Sequence, residues 1–360
     1  MTDSLPYPLF FEPMLLQKPW GGARLRDFGK HVAPGTNVGE SWELADLTTT
    51  SASGAGGAAA CSKIANGALA GRTVREACKQ WGTQLMGDVS STSDGGFPLL
   101  IKFLDARENL SVQVHPSPAY ARAHAGSHLK TECWYIMSAE PGAKIYKGVK
   151  PGVTRDAFAK ALTQGDGASC VDMLESVPAV VGECHNLPSG TVHALGAGVL
   201  VAEVQTPSDT TFRVYDWGRT ENGKPRQLHI EQSLECIQWE RARDATKIPN
   251  GQRRATLVST GYFDVEAVRG PALTAETGAS YKDRMLRPGA TTVFPLRGNP
   301  AGKERPIVIM MLGGQGTLAT HAGAPMSIAS GQTVLVPACL ARESTLEVSD
   351  TGVAILASPR

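Results

Sequence analysis

Four side chains of metal-binding type stand out in the sequence, because two of them share one predicted strand. Gln113 and His115 lie two positions apart in LSVQVHP, and residues i and i+2 of a strand project from the same face. Glu132 begins the aromatic stretch ECWYIM, and His193 lies in LPSGTVHAL, at a turn that leads into a strand. Two imidazoles, one carboxylate and one amide oxygen suit Zn²⁺ or another divalent first-row ion. Spacing alone leaves open the alternative that each is an ordinary polar residue.

A phosphate group on a ligand would have to be held by side chains, because neither common phosphate loop occurs. The sequence has no GxxxxGK[ST] segment, and the GxG of LGAGVLVAEV lacks the third glycine of a dinucleotide fingerprint. Cations and hydroxyls can take that role. Those close to the predicted strands are Lys102, Ser111, Lys130, Arg213 and Arg219. Each is equally compatible with a surface charge or a satisfied strand hydroxyl.

The segments around these residues are predicted to be short strands with turn-rich connections. Strands are expected in FPLLIKFLDA, LSVQVHP, ECWYIM, GVLVAEVQ and TTFRVYDW, and 39 glycines and 23 prolines supply the turns. Helical spacing is strong at 73–86, and further helices are expected near Thr154 and around Asp172. Many short strands and few short helices predict a mainly β fold with two jelly-roll halves.

Composition changes along the chain indicate two domains. Residues 48–62, TTTSASGAGGAAACS, are low in complexity and predict a flexible surface insertion. A second strand-rich block begins near Arg254, after the polar segment 246–254. We therefore expect a domain of residues 1–245 that carries the chemistry, and a C-terminal jelly-roll domain of residues 255–360.

The bulk composition excludes several classes of partner. The chain has 360 residues, of which 42% are hydrophobic and 19% charged, and its formal net charge is +1. A near-neutral balance gives no case for nucleic-acid binding, and no stretch approaches the roughly 18 apolar residues of a membrane helix. The seven cysteines form no CxxC pair, which is typical of reduced thiols and predicts a cytoplasmic protein. The expected partner is a small molecule.

Four segments carry a resemblance to a known family: LSVQVHP, KTECWYI, LPSGTVHAL and VAEVQTPSDTTFRVYDWGR. In this order they resemble the phosphomannose isomerase type I family, in its short bacterial form, within the cupin superfamily. The likeness runs from about Leu9 to Glu231, and KPWGG and GESWELAD are similar to the family's opening segments. Beyond that point the chain is similar to the family only in the order and spacing of its strand-like segments.

The resemblance implies a role for each matching residue. Gln113, His115, Glu132 and His193 would bind one zinc ion per chain. Arg213 would lie beside the substrate, Lys130 would transfer a proton, and Glu203 would be an acidic residue of the same pocket. Lys102 and Ser111 would line the sugar-phosphate site. The C-terminal half has no histidine at VPACL, where a metal-binding cupin has one, so the domain of 255–360 is expected to lack a metal site.

The implied reaction interconverts mannose 6-phosphate and fructose 6-phosphate by zinc-assisted proton transfer through a cis-enediolate. The sequence leaves the general base open between Lys130 and Glu203, and it predicts no oligomeric state. Three alternatives remain at this stage. They are a cupin that uses iron or manganese for oxygen chemistry, an isomerase of a free or different phosphorylated aldose, and a non-catalytic metal-bound cupin that binds a sugar.

Overall fold

The computed structural model describes residues 5–48, 60–164, 167–221, 223–272, 291–296 and 302–360. Most of the predicted insertion at 48–62 lies outside these residues. The strands of the first part of the chain are β1 (Leu9–Phe10), β2 (Met14–Gly22), β3 (Val38–Leu44), β4 (Asp46–Leu47), β5 (Ala60–Cys61), β6 (Leu100–Ala106), β7 (Val112–Val114), β8 (Glu132–Ala139), β9 (Lys144–Val149), β10 (Leu174–Pro178), β11 (Cys184–Leu187), β12 (His193–Leu195), β13 (Val199–Gln205), β14 (Phe212–Tyr215), β15 (Thr220–Glu221) and β16 (Lys224–Pro225). All five predicted strand segments contain strands.

Two antiparallel sheets of these strands face each other. Sheet I has the order β11-β8-β13-β6-β2-β3, with a further pairing of β6 to β3, and sheet II has the order β10-β9-β12-β7-β14. Trp134 and Ile136 of sheet I pack with Ile145 and Leu195 of sheet II in one apolar cluster. The space between sheets I and II is therefore an interior, and the residues to which the resemblance assigns a role lie on strands of these sheets or close to their ends. Arg219 lies after β14, where its guanidinium donates to Asp216.

The second part of the chain forms two further sheets. Its strands are β17 (Arg254–Ser259), β18 (Phe263–Arg269), β19 (Thr292–Pro295), β20 (Ile307–Gly313), β21 (Gln315–Ala319), β22 (Met326–Ala329), β23 (Thr333–Val336), β24 (Thr345–Val348) and β25 (Val353–Pro359). Sheet III has the order β1-β23-β20-β25-β18-β17, and sheet IV has the order β19-β24-β21-β22. Both are antiparallel, and their facing side chains share one core cluster.

Sheet III covers the outer face of sheet I. Cys133 and Tyr135 alternate with the inward-facing Glu132 and Trp134, and they share a core cluster with apolar side chains of sheet III. Strand β6 is buried along its whole length because both of its faces are covered. Strand β1 of the N-terminal part also pairs with β23 of sheet III. The division into domains of 1–245 and 255–360 stays a prediction.

Short helices occupy the connections. They are α1 (Val74–Trp81), α2 (Thr83–Met86), α3 (Pro118–Ala123), α4 (Arg155–Thr163), α5 (Ile230–Cys236) and α6 (Ala338–Ala341), together with 3-10 turns at Arg24–Phe28, Gly67–Leu69 and Ala168–Met173. None of the helices in the described ranges is long and apolar enough to cross a membrane.

Two of the three helix predictions are confirmed. The segment 73–86 contains α1 and α2, and a capping box between Thr73 and Glu76 begins α1. Gly82, with a φ of 49°, separates α1 from α2. Helix α4 begins after Thr154, whose hydroxyl accepts from the amide of Ala157. The helix expected around Asp172 is wrong, because the 3-10 turn ends at Met173 and the next residues pair with β9 as strand β10.

Candidate metal centre

Three of the predicted ligands meet in the space between sheets I and II. His115 follows β7, Glu132 begins β8 and His193 begins β12. His115 Nε2 lies 3.4 Å from Glu132 Oε2, and His193 Nε2 lies 3.1 Å from Glu132 Oε1. All three residues are buried, and their ligand atoms lie within 4.8 Å of one another. Two imidazole nitrogens therefore converge on one carboxylate, as in a metal site.

Strand register brings Gln113 and Arg213 beside this cluster. His193 pairs with Gln113 across β12 and β7, and Arg213 pairs with Gln113 across β14 and β7. Directly paired residues project from the same face of a sheet, so the three side chains form a row on the inner face of sheet II. The Gln113 amide nitrogen lies 3.3 Å from His193 Nε2. All four predicted ligands are thus neighbours.

The turn before β12 fixes the position of His193. Gly190 adopts a φ of 87°, and its N–H donates to the carbonyl oxygen of His115 at 2.9 Å. A Cβ at this position would lie 2.8 Å from Cγ of Gln238 and 2.9 Å from the carbonyl oxygen of Cys236. Only glycine combines this backbone conformation with such close packing. The turn predicted in LPSGTVHAL is confirmed.

Backbone carbonyls set the tautomers of both histidines. His115 Nδ1 lies 3.0 Å from the carbonyl oxygen of Thr210, and His193 Nδ1 lies 2.8 Å from that of Thr191. A carbonyl only accepts, so each Nδ1 donates its hydrogen and each Nε2 presents a lone pair to Glu132. Burial lowers the pKa of His115 to about 3, which keeps its imidazole neutral at pH 7. A metal-binding histidine needs this state.

Buried polar atoms of the cluster have room for a further partner. His115 Nε2 and both carboxylate oxygens of Glu132 lack a hydrogen bond of good geometry within the described residues. Buried acceptors are normally paired, so acceptors that face one another without a well-aligned hydrogen bond indicate a cation site. A half-turn of the Gln113 amide would present its oxygen to the same point, since the two ends have nearly the same shape. The residues present therefore fit a divalent ion.

Lys130 places a cation directly beside the carboxylate of Glu132. Its Nζ lies 2.8 Å from Glu132 Oε2, and the residue is buried. Burial alone would raise the pKa of Glu132, but the nearby charge of Lys130 brings that pKa well below its usual value. Glu132 is therefore ionised at neutral pH, which is the state of a metal ligand.

Glu203 and Lys102 extend the charged interior along sheet I. They pair across β13 and β6, and Glu203 Oε1 lies 3.3 Å from Lys102 Nζ. Trp134 Nε1 donates to Glu203 Oε2 at 2.7 Å, and the Trp134 ring packs edge-on against His193, with centroids 5.1 Å apart. Burial, followed by the nearby charge of Glu132, raises the pKa of Glu203. Trp134 thus links Glu203 to the cluster of His115, Glu132 and His193, which we call the metal cluster for the ion that its residues fit.

Glu40 belongs to the same interior, although it was not among the predicted site residues. Its Oε2 lies 3.7 Å from Lys102 Nζ and accepts a hydrogen bond from Trp42 Nε1 at 2.7 Å, while Lys18 Nζ lies 3.3 Å from Oε1. Burial opposes ionisation, but Lys18 and Lys102 lower the pKa of Glu40 to about 2. The alternation of Glu40 and Trp42 in GESWELAD is the sequence signal for the hydrogen bond between these two side chains.

Arg213 and Ser111 belong to the strand region of sheet II. Arg213 is buried, its Nη1 donates to the carbonyl oxygen of Gln227 at 2.8 Å, and its backbone N–H donates to His229 Nδ1 at 3.1 Å. Ser111 is buried one residue before β7, two positions from Gln113. Arg213 is therefore held beside Gln113, and the roles of Arg213 and Ser111 stay predictions.

Comparison with known proteins decides the family. The model of the phosphomannose isomerase type I catalytic domain matches residues 9–145. A mannose-6-phosphate isomerase of Streptococcus mutans is 38% identical over 263 residues, which cover 72% of this chain and 77% of the relative. The chain belongs to the phosphomannose isomerase type I family.

Other relatives and solved structures agree with this family assignment. A mannose-6-phosphate isomerase of Bacillus subtilis is 36% identical over 264 residues, which cover 72% of this chain and 78% of the relative. The crystal structure of mannose 6-phosphate isomerase from Bacillus subtilis matches with a TM-score of 0.77 at 26% identity, over 97% of this chain and 99% of the other. A zinc-bound mannose 6-phosphate isomerase matches in fold, with a TM-score of 0.69 at 15% identity over 98% and 99% of the two chains. The predicted family and the mainly β, cupin-like fold are confirmed.

Lys147 is a buried lysine of this phosphomannose isomerase family member that lies outside the predicted set. Lys147 pairs with His193 across β9 and β12, and it is 4% exposed. Its Nζ is buried and has no hydrogen-bond partner in the part of the chain that the structure describes. Burial lowers the pKa of Lys147 to about 8, so the ammonium is still charged at pH 7. An ammonium in this setting lowers the stability of the folded protein.

Replacing Lys147 with methionine is therefore expected to stabilise the protein. The pKa of Lys147 is lower in the folded than in the unfolded protein, so its cost is complete below pH 8 and fades as the pH rises towards the ordinary lysine value. We expect Lys147→Met to raise the free energy of unfolding by about 1–3 kcal/mol at pH 7 and by less at pH 10. Urea titration followed by tryptophan fluorescence at both pH values measures the difference.

Lys144→Met is the matched control, because Lys144 is an exposed lysine on the same strand. Its free energy of unfolding should stay within about 0.5 kcal/mol of the wild type. A Lys147→Met protein that is less stable than the wild type at both pH values would mean that the ammonium has a stabilising partner.

Proposed function

We propose that this chain is a mannose-6-phosphate isomerase, which interconverts mannose 6-phosphate and fructose 6-phosphate with one bound zinc ion. The observation that carries the proposal is the buried cluster of His115, Glu132 and His193, with Lys130 against its carboxylate. Membership of the phosphomannose isomerase type I family supports it, as do the names of the relatives in Streptococcus mutans and Bacillus subtilis. The partner is then a small sugar phosphate.

His115, Glu132 and His193 would hold the zinc ion, with the amide oxygen of Gln113 as a fourth ligand. The Nδ1 hydrogen bonds of the two histidines fix the orientation of their rings before any ion binds. Bound zinc supplies a Lewis acid that polarises the C1 and C2 oxygens of the open-chain sugar, a contribution of several kcal/mol. Two imidazoles, a carboxylate and an amide match the donors that zinc accepts.

The proton transfer needs a group beside C1 and C2 of the sugar. The reaction removes a proton next to a carbonyl and returns it to the neighbouring carbon, through a cis-enediolate of the substrate. We propose that Lys130 Nζ moves this proton, because it lies 2.8 Å from the ligand carboxylate of Glu132 and thus next to the metal cluster. Glu203 is the competing candidate, because burial raises the pKa of its carboxyl group.

Arg213 is proposed to stabilise the negative charge of the enediolate. A guanidinium stays protonated at every physiological pH, so it donates hydrogen bonds and does not act as a base. The register next to Gln113 and the bond from Nη1 to Gln227 favour a fixed orientation of this side chain. Such a donor acts on the transition state more than on the bound sugar.

Lys102 and Ser111 are proposed as substrate contacts. Lys102 Nζ already lies 3.3 Å from Glu203 and 3.7 Å from Glu40, and both carboxylates would repel a phosphate dianion. We therefore propose that Lys102 faces a sugar hydroxyl and not the phosphate group. The buried hydroxyl of Ser111 offers both a donor and an acceptor to the substrate.

Removal of the metal is expected to abolish isomerisation reversibly. A coupled assay on mannose 6-phosphate should lose its signal after treatment with a chelator and regain it when zinc is added. Glu132→Gln should retain the fold but lose bound zinc and activity, because the amide removes the only carboxylate of the proposed ligand set. Metal content is measured by atomic emission on the same samples.

His124→Gln is the control, because His124 is an exposed histidine at the end of α3. This variant should keep both zinc and activity. Full activity in a sample shown to contain no metal would contradict the metal assignment. A folded, zinc-loaded protein that leaves mannose 6-phosphate unchanged would contradict the substrate assignment.

Removing the guanidinium of Arg213 should act on turnover and not on metal binding. We expect Arg213→Ala to lower kcat by roughly 10²–10³, because a donor to the oxyanion of the transition state is lost. Zinc content should stay at the wild-type level, and Arg213→Lys should fall between the two. Arg155→Ala, which alters an exposed arginine of α4, is the control for steady-state kinetics. Near-normal turnover of Arg213→Ala would remove this residue from the proposed role.

The two candidate bases are separated by hydrogen exchange at C2. Mannose 6-phosphate deuterated at C2 is followed by NMR in water with the variants Lys130→Met and Glu203→Gln, each at matched zinc content. We expect Lys130→Met to slow exchange by about 10²–10⁴, since the proton-transfer group is lost, and Glu203→Gln to retain measurable exchange. The reverse pattern would assign the proton transfer to Glu203.

A further inference from the structure

Gln205 is buried beside the metal cluster and has no part in the proposed reaction. It is the last residue of β13, and it pairs with Glu132 of β8 and with Leu100 of β6. Glu203, two positions earlier, faces the space between sheets I and II, so strand alternation turns Gln205 to the same face. Its side chain is fully buried. Gln205 is therefore the strand neighbour of a proposed ligand without being a ligand.

The amide of Gln205 binds the loop that follows its own strand. Nε2 donates to the carbonyl oxygens of Thr206 at 2.9 Å and Ser208 at 2.8 Å, in the segment 206–210 that we call the β13 loop. Carbonyls only accept, so a single orientation of the amide satisfies both bonds. Oε1 is then buried without a hydrogen-bond donor in the described residues. The two bonds from Nε2 must compensate for that unpaired oxygen, which makes the β13 loop the main partner of Gln205.

The β13 loop holds the segment that carries Lys130. Thr206 exchanges two hydrogen bonds with the backbone of Thr131, at 3.0 Å and 3.1 Å. Ser208 Oγ donates to the carbonyl oxygen of His128 at 3.2 Å. These contacts lie on both sides of Lys130 in the chain, so the loop fixes the backbone from which the Lys130 side chain projects.

The β13 loop also orients the proposed ligand His115. The carbonyl of Thr210 accepts the hydrogen bond from His115 Nδ1 at 3.0 Å, and the Thr210 N–H donates to Ser208 Oγ at 3.2 Å. A continuous set of bonds thus runs from Gln205 through Ser208 and Thr210 to the imidazole. The partner of Nδ1 sets the ring orientation and tautomer of a metal-binding histidine.

We propose that Gln205 is a positioning residue of the metal centre. By fixing the β13 loop, its amide holds the His115 imidazole and the Lys130 ammonium in the geometry that metal binding and proton transfer require. The inference rests on the proposed function, since it assigns Gln205 to the zinc site of that reaction. Gln205 acts through the loop and contacts neither the ion nor the sugar.

The variant Gln205→Met tests the inference, because methionine has a similar length and volume but cannot donate to the two carbonyls. We expect its dissociation constant for zinc to rise about 10–100-fold, measured by competition with a chromophoric chelator. The visible spectrum of the cobalt-loaded protein, which reports the geometry of the ligands, should change as well. We expect kcat to fall while KM for mannose 6-phosphate changes little.

Ser344→Ala is the control for a simple loss of stability. It removes a buried hydroxyl that donates to the carbonyl oxygen of Leu340 at 2.7 Å, in the second part of the chain. This variant should unfold at lower urea but keep the zinc affinity and the cobalt spectrum of the wild type. Gln205→Met with those same wild-type properties would reduce the residue to a structural role and overturn the inference, whatever its stability.

The wild type in the same experiment distinguishes failure of the positioning role of Gln205 from failure of the proposed function. If the wild type isomerises mannose 6-phosphate and binds zinc while Gln205→Met matches it in affinity and spectrum, only the positioning role is rejected. If the wild type binds no zinc or leaves the sugar phosphate unchanged, the proposed function fails and the role of Gln205 fails with it.

Discussion

The burial of the Glu132 carboxylate between two β-sheets is the constraint on which the rest of the site depends. A carboxylate removed from water costs several kcal/mol unless nearby charges and donors compensate for the lost solvation. Lys130 and the Nε2 atoms of two histidines lie within 3.4 Å of its oxygens. The histidines turn lone pairs and not hydrogens towards it, so Lys130 supplies the compensating charge and the lone pairs are available to a metal cation. This arrangement of acceptors therefore favours metal binding.

Buried charges in this interior are compensated by opposite charges on neighbouring strands of sheet I. Lys102 on β6 pairs with Glu203 on β13, and Glu40 on β3 lies on the other side of Lys102. Neighbouring strands are about 4.8 Å apart, which is a distance that paired side chains span without strain. Apolar side chains of sheet III cover much of the outer face of sheet I, and Lys102, Glu203 and Glu40 face sheet II. The pairing of β6 with β13 and β3 holds these groups side by side.

The sequence reveals those parts of this arrangement that follow a local rule. Alternation places Gln113 and His115 on one strand face, and helical spacing predicts the helical segment 73–86. Contacts between distant segments have no such signature, and Glu40 is far in the chain from the other site residues. The hydrogen bond from His115 Nδ1 to the carbonyl of Thr210 cannot be predicted from sequence for a different reason. Every residue type carries a backbone oxygen, so the residue type gives no signal. Local spacing around Asp172 favoured a helix, but pairing with β9 made the following segment a strand.

Two buried lysines of this interior differ in what they can do, and the difference lies in their partners. Lys102 faces two carboxylates, Glu203 and Glu40, and burial is outweighed by these charges, so its pKa is raised. Its proton is held firmly, which suits a fixed hydrogen-bond donor. Lys130 faces one carboxylate, and that carboxylate is the proposed ligand. Within the described residues Lys130 therefore has a single neighbouring counter-charge, and it would share that charge with a bound metal cation. The contrast in counter-charge favours Lys130 over Lys102 for proton transfer.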